Sequence, residues 1–94
     1  MHIGALTLEL HSPGCHSLKE KRSRIKPLLA GIHRKFNVSA SEIDQSDQWQ
    51  FALIACVAVS NDSKHVQRLL SSIPPWIESQ RPDLQLVDDR ILLL

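Results

Sequence analysis

The sequence is poor in aromatic residues. It has no tyrosine, two phenylalanines and two tryptophans, so that aromatic residues make up 4% of its 94 positions. Domains that read RNA bases stack them on aromatic side chains of a sheet, and this chain has few side chains for that purpose. Any contact with RNA is therefore expected to be made to phosphates, with little preference for base sequence.

Cysteine is also scarce, and the sequence has no pattern typical of a metal site. Its two cysteines are Cys15 and Cys56. Cys56 lies in an apolar segment and is predicted to be a core residue. Cys15 has His11 and His16 near it, but zinc sites need three or four ligands at tighter, paired spacings. We therefore expect no metal and no cofactor.

No set of residues in the sequence has the pattern of a catalytic site. Acylphosphatases hold phosphate in the loop after their first strand. The corresponding loop here, residues 11–16, contains one glycine and no arginine, so the phosphate cradle is missing. We therefore expect a protein without enzymatic activity.

Long hydrophobic runs are absent as well. No apolar run is long enough to span a membrane, and the first residues begin a strand pattern rather than an export signal. With 43% hydrophobic residues and a net charge of +1, the composition is typical of a soluble globular protein. The length is sufficient for one core without disulfide or metal support. We expect a single cytoplasmic domain over residues 1–94, with both thiols reduced.

The most distinctive segment is a basic amphipathic helix predicted over residues 17–36. Ser17 and Glu20 have the spacing of a capping box at its start, and apolar residues recur at helical spacing after it. Pro27 falls on the polar side, so we expect it to bend the helix around the core without ending it. Seven of the eleven lysines and arginines lie in this segment, with Glu20 as its single acidic residue.

Five of these basic residues are candidates for contact with RNA phosphates: Lys19, Arg22, Lys26, Arg34 and Lys35. Runs of like charge are most often solvated helix faces, and that alternative stays open. Phosphate binding gains weight because Arg22 and Lys26 repel each other across one helical turn and are left unpaired.

The order of predicted elements is β-α-β-β-α-β. Strands are predicted over residues 2–11, 38–43, 50–60 and 85–94, with a polar turn over 44–48. The second helix is predicted to begin near Asp62 and to end or bend at Pro74-Pro75. This order predicts a ferredoxin-like α+β sandwich, a four-stranded antiparallel sheet with two helices on one face and its second and fourth strands at the edges. We expect the first and third strands to be adjacent and parallel.

The predicted third strand is apolar on both faces, so both faces need cover. Two helices on one face cover one side, and the other side is then an exposed interaction surface. We expect self-association there, most simply as a twofold dimer, with Phe51, Leu53 and Val57 as candidate contacts. Pairing of the apolar C-terminal edge strand is a second route. The alternative is local cover by small side chains and by Trp49 or Trp76.

Five short segments carry a resemblance to a known family: MHIG at 1–4, SLKEKR at 17–22, FNVS at 36–39, WQ at 49–50 and VSND at 59–62. In this order they resemble the YlxP-like family, small bacterial proteins catalogued as a domain of unknown function. The resemblance implies a ferredoxin-like fold and no established catalytic residues. Because members are often encoded beside translation and ribosome-maturation genes, it also suggests RNA or the ribosome as a partner.

Two functions are therefore predicted. The first is a non-enzymatic binding module that contacts RNA or the ribosome through the basic helix. The alternative is a homo-oligomeric structural or regulatory protein that acts through its sheet face and has no nucleic-acid role. The two differ in which surface of the same small domain is functional.

Overall fold

The computed structural model describes residues 1–43 and 48–94. Its elements are β1 (His2–His11), α1 (Leu18–Lys35), β2 (Ser39–Glu42), β3 (Phe51–Ser60), α2 (Ser63–Ser71), α3 (Ile73–Gln80) and β4 (Gln85–Leu93). The four strands form one antiparallel sheet in the order β2-β3-β1-β4. The predicted α+β class and the four-stranded antiparallel sheet are confirmed. The predicted polar turn lies, apart from Gln48, outside the described residues.

One expectation for the sheet is wrong. β1 and β3 are adjacent, but they run antiparallel, with Leu6 opposite Cys56 near the middle of the pair. The crossover rule governs a strand that returns parallel to the first one, and here that strand is β2. β3 runs antiparallel to β2 and lies between β2 and β1. The two edges are β2 and β4, as predicted.

The side chains of β1 show on which face of the sheet the core lies. Leu6, Leu8 and Leu10 are buried, whereas Thr7 and Glu9 on the opposite face are half-buried. The buried side chains share one core cluster with helix residues Ile25, Leu28, Ile32, Val66, Leu70, Ile73 and Ile77. Because a strand places successive side chains on opposite faces, this core forms on one side of the sheet.

α1 begins with the predicted cap, with one difference. The Glu20 N–H donates to Ser17 Oγ at 3.1 Å. The Glu20 carboxylate accepts from the backbone N–H of His16 at 3.0 Å, one residue earlier than a capping box predicts. This hydrogen bond is the main reason why the pKa of Glu20 is lowered. Pro27 is exposed and the helix continues past it, as predicted.

The second helical segment consists of two helices. α2 is capped by Asp62, whose carboxylate accepts from the Lys64 N–H at 3.0 Å. Pro74 and Pro75 lie in the first turn of α3, where the N–H groups that proline lacks have no partner within a helix. The predicted break at the proline pair is therefore the junction between α2 and α3. Among the described residues, no helix combines the length and the apolar character needed to cross a lipid bilayer.

Gly4 on β1 is a point of close approach between α2 and the sheet. A Cβ at this position would lie 2.6 Å from Val66 Cγ1 and 2.9 Å from Leu70 Cδ1. Gly4→Ala is therefore expected to lower the free energy of unfolding by about 1–3 kcal/mol, because the stiff Val66 side chain has to repack. Urea unfolding followed by circular dichroism measures the change.

Gly14→Ala is the matched control. A Cβ there first meets Arg24 Nη2 at 3.5 Å, which is an ordinary contact at an exposed loop position. We expect its free energy of unfolding to stay within about 0.5 kcal/mol of that of the unmodified protein. Equal stabilities for the two variants would contradict tight packing of α2 on Gly4.

Candidate nucleic-acid interface

Three of the predicted phosphate contacts lie together on α1. At about 100° per residue, Lys19, Arg22 and Lys26 fall within about 60° of one another, on the side away from the buried Leu28 and Ile32. All three are exposed. Lys19 and Lys26 are about 10 Å apart along the helix axis. These three residues are called the basic strip below.

The other two predicted contacts lie on the last turn of α1. Arg34 falls about 60° around the helix from Lys19, and Lys35 about 160°. Both are exposed. His33 is in line with the basic strip, but its Nε2 accepts the backbone N–H of Ala40 at 3.1 Å, so the imidazole is engaged with β2. The helix therefore presents one three-cation strip and two separate cations beyond it.

The predicted contacts and the remaining basic residues of α1 differ in their partners. Within residues 1–43 and 48–94, none of the five predicted contacts forms an ion pair. By contrast, Arg24 Nη2 lies 2.8 Å from Glu20 Oε1, and Lys21 Nζ lies 3.4 Å from Glu42 Oε2. Lys21 and Arg24 are neutralised by these carboxylates, so the positive charge that α1 presents to a ligand comes from the five predicted contacts.

Lys21 differs from the other basic residues of α1 because it is buried. Its side chain is 7% exposed, against 26% for its partner Glu42. Nζ also donates to the Gln48 carbonyl at 3.3 Å. Glu42 Oε2 is buried and accepts no hydrogen bond from the described residues, so the Lys21 ammonium is the charge that compensates it. This pair joins α1 to the edge strand β2.

The loop between β1 and α1 is held together by hydrogen bonds from neighbouring elements. Arg24 on α1 donates to Ser12 Oγ, and Gln50 Nε2 donates to the Cys15 carbonyl at 3.2 Å. The buried Cys15 thiol donates to the Ser17 carbonyl at 3.4 Å. In the part of the chain that the structure describes, no three His, Cys, Asp or Glu side chains are placed to hold a metal ion.

The face of the sheet away from the helices is uncovered by any described element and is called the outer face below. Phe51 and Val57 are 37% and 42% exposed there, and Leu53 is half-buried on the same face. Trp76 packs on the helix side against the end of α1, and Trp49 lines a small pocket beside α1. The three candidates for self-association therefore share one open face.

The chain matches the family described as protein of unknown function (DUF503) over residues 3–91. It is 42% identical over 69 residues to the uncharacterized protein YlxP of Bacillus subtilis (strain 168), covering 69% of this chain and 75% of that protein. It is also similar to the de novo designed protein Foldit4, with a TM-score of 0.57 and 14% identity over 98% of this chain and 97% of that one. A mutant of SnoaB, a cofactor-independent oxygenase from Streptomyces nogalater, has a TM-score of 0.49 and 14% identity over 99% of this chain and 90% of that one. At 14% identity the likeness to the designed protein concerns the fold alone.

The buried pair of Lys21 and Glu42 leads to a prediction about stability. Lys21→Met removes the ammonium and leaves the Glu42 carboxylate without its compensating charge. We expect a loss of about 1–3 kcal/mol in the free energy of unfolding, below the usual cost for a fully buried pair because Glu42 is 26% exposed. Chemical denaturation of the purified variant measures this loss.

Two further variants separate the pair from the general effect of removing a lysine. Lys21→Met combined with Glu42→Leu is expected to recover most of the loss, because no uncompensated charge remains. Lys19→Met on the exposed side of the same helix is expected to stay within about 0.5 kcal/mol of the unmodified protein. If the double variant is no more stable than Lys21→Met, the pairing of the two charges is not what stabilises this contact.

Proposed function

We propose a function for this chain from its own surface, since it belongs to the YlxP-like DUF503 family, whose function is unknown. The function is that of a cytoplasmic, non-enzymatic binding module that contacts RNA phosphates through α1, with the ribosome as the expected partner. The observation that carries the proposal is the basic strip, in which Lys19, Arg22 and Lys26 are exposed, aligned and free of ion pairs with the described residues.

The repulsion within the basic strip supports a phosphate ligand. Arg22 and Lys26 are one turn apart, and like charges at this spacing destabilise a helix by a few tenths of a kcal/mol. A phosphate bound between them relieves the repulsion and gains charge-assisted hydrogen bonds. A helix face that contacts only water gains neither. Glu20, the acidic residue of the helix, does not relieve the repulsion, because it is already paired with Arg24.

The side chains beside the basic strip leave room for a nucleic-acid backbone. Ser23 and Ala30 are exposed and fall about 20–40° around the helix from Lys19. Both are short, and the Ser23 hydroxyl donates back to the Glu20 carbonyl at 2.6 Å. Long lysine and arginine side chains therefore project beyond their neighbours, which allows several phosphates to be contacted at once.

The environment of the two thiols argues against nucleophilic catalysis by cysteine. Cys56 is fully buried, and burial raises the pKa of its thiol to about 11, so the nucleophilic thiolate is disfavoured. The Cys15 thiol is buried and donates to a backbone carbonyl. Neither side chain is presented to a substrate at the protein surface.

We also infer that the fold is of the ferredoxin-like class. The reasons are the strand order β2-β3-β1-β4 and the position of the helical segments, one between β1 and β2 and one between β3 and β4. This class places two helical segments over one face of the sheet and leaves the opposite face open. The RNA proposal depends on α1 alone and does not require this assignment.

Replacing the basic strip tests the RNA proposal. In Lys19→Ala/Arg22→Ala/Lys26→Ala, binding to ribosomal RNA is expected to weaken. The slope of log K against log salt, which is negative, is expected to decrease in magnitude by about three, roughly one for each lost phosphate contact. Filter binding at several salt concentrations measures the slope. Co-sedimentation with ribosomal particles at low salt, with release as salt rises, tests the expected partner.

A pair of charge-matched variants provides the control. Arg22→Ala/Lys26→Ala and Lys64→Ala/Arg68→Ala each remove one arginine and one lysine at the same spacing on an exposed helix face. The first is expected to reduce the salt slope by about two, and the second to leave it nearly unchanged. Equal slopes for the two variants, or unchanged RNA binding in the triple variant, would remove α1 from the proposal.

The second candidate function is a homo-oligomer that acts through the outer face, supported by the exposure of Phe51 and Val57. Under this alternative, Val57→Lys places a desolvated charge in the contact and yields monomers. RNA binding is then either absent from both the unmodified protein and the variant, or equal in the two. Light scattering on the unmodified protein and the variant measures this. If the Val57→Lys variant has the same oligomeric state in solution as the unmodified protein, that result counts against the outer face as the contact surface.

A further inference from the structure

We propose that the free edge of β4 pairs with β4 of a second copy of this chain, antiparallel and about a twofold axis. The sheets of the two copies then join into one continuous sheet. This surface is neither the basic strip nor the outer face, so the inference does not rest on RNA binding.

The two edges of the sheet differ in how they are protected. β2 is only four residues long. Its Ala40 N–H faces away from β3 and donates to the imidazole of His33 on α1, so this outward group already has a partner. β4 is nine residues long, and no described strand pairs with its outer edge. Proteins that stay monomeric shorten, cover or charge their edge strands, because an open edge is a template for pairing with another strand.

The exposure of β4 is the second observation. Ile91, Leu92 and Leu93 are 37%, 62% and 45% exposed. Ile91 and Leu93 lie opposite Leu6 and Gly4, on the helix side of the sheet, yet the helices leave them partly uncovered. A strand end that is apolar, partly exposed on both faces and open along one edge is unusual for a monomer, and edge pairing places the same apolar residues of a second copy beside it.

The backbone of β4 is suited to such pairing. The Leu94 N–H donates to the Ile3 carbonyl at 2.8 Å, which fixes the alternation along the strand. Leu92 and Arg90 therefore direct their backbone groups toward β1. Ile91 and Leu93 direct theirs to the open edge, together with Asp89. These outward N–H and C=O groups form the hydrogen bonds of the new ladder.

The order of charges restricts the register. A twofold axis perpendicular to the sheet keeps each side chain on its own face. The axis must therefore lie level with one residue, which is then opposite its own copy, and cannot lie between two residues. An axis at Asp88, Asp89 or Arg90 places like charges directly opposite each other, which is destabilising. An axis at Ile91 places Ile91 opposite itself and Arg90 opposite Leu92, and Arg90 keeps its own-strand partner Asp88 at 3.2 Å.

The bulge in β4 agrees with this register. The pairing of β4 with β1 shifts at Glu9/Leu10, where the partners change from Asp88 to Leu86. A bulge interrupts regular pairing, so the ladder with a second copy is limited to the stretch from Asp88 onward. With the axis at Ile91, the strand segment from Asp88 onward of one copy pairs with the same segment of the other copy.

Substitutions of opposite sign at Leu92 test the proposal, because this side chain is 62% exposed and opposes Arg90 of the second copy. Leu92→Lys is expected to weaken dimerisation about tenfold through two like-charge pairs, whereas Leu92→Glu is expected to retain or tighten it. Ile91→Pro removes a backbone N–H that faces the open edge, not β1, and is expected to yield monomers with an unchanged circular dichroism spectrum.

Sedimentation of the unmodified chain up to on the order of 100 µM, the range of a weak dimer, gives the reference state. A dimer that depends on the sign of the charge at position 92 and survives Val57→Lys supports edge pairing. An unmodified chain that stays monomeric overturns the proposal. Equal weakening by Leu92→Lys and Leu92→Glu, or loss of the dimer in Val57→Lys, overturns it in favour of the outer face. If Ile91→Pro fails to fold, the two Leu92 variants still decide.

Discussion

The alternation of side chains along β1 determines how the rest of the molecule is arranged. Its buried residues, Leu6, Leu8 and Leu10, all point to the side on which the helices pack. Since α1, α2 and α3 contribute to one core on that side, the outer face and much of β4 have no cover. The polar helix surface, the apolar outer face and the open edge are therefore three consequences of one layered packing.

Much of the fold follows from local patterns in the sequence. The period of two in residues 2–11 predicts β1 with its observed bounds, and the spacing of Ser17 and Glu20 predicts the start of α1. The tolerance of Pro27 follows from its position on the polar side of the helix. These features depend on residues that are close in sequence, where geometry fixes which side chains meet.

The features that could not be predicted depend on residues far apart in sequence. The burial of Lys21 requires Glu42, which lies on β2 and reaches it only in the folded chain. The charge pattern alone places Lys21 among the other cations of α1, although it lies beside Ile25 and Leu28 on the apolar side. The direction of β3 relative to β1 also depends on distant pairing: the crossover rule concerns β1 and β2, and β3 lies between them, antiparallel to both. Of the five candidate site residues, Lys19, Arg22 and Lys26 align on one side of α1, whereas Arg34 and Lys35 point elsewhere. Their contact with RNA stays a prediction.

The contact between His33 and Ala40 fixes the tautomer of an imidazole. Because Nε2 accepts the Ala40 N–H, the ring proton of the neutral form resides on Nδ1, and a doubly protonated ring could not make this contact. The nitrogen chemical shifts of this one ring therefore report on whether the contact between α1 and the short edge strand is formed.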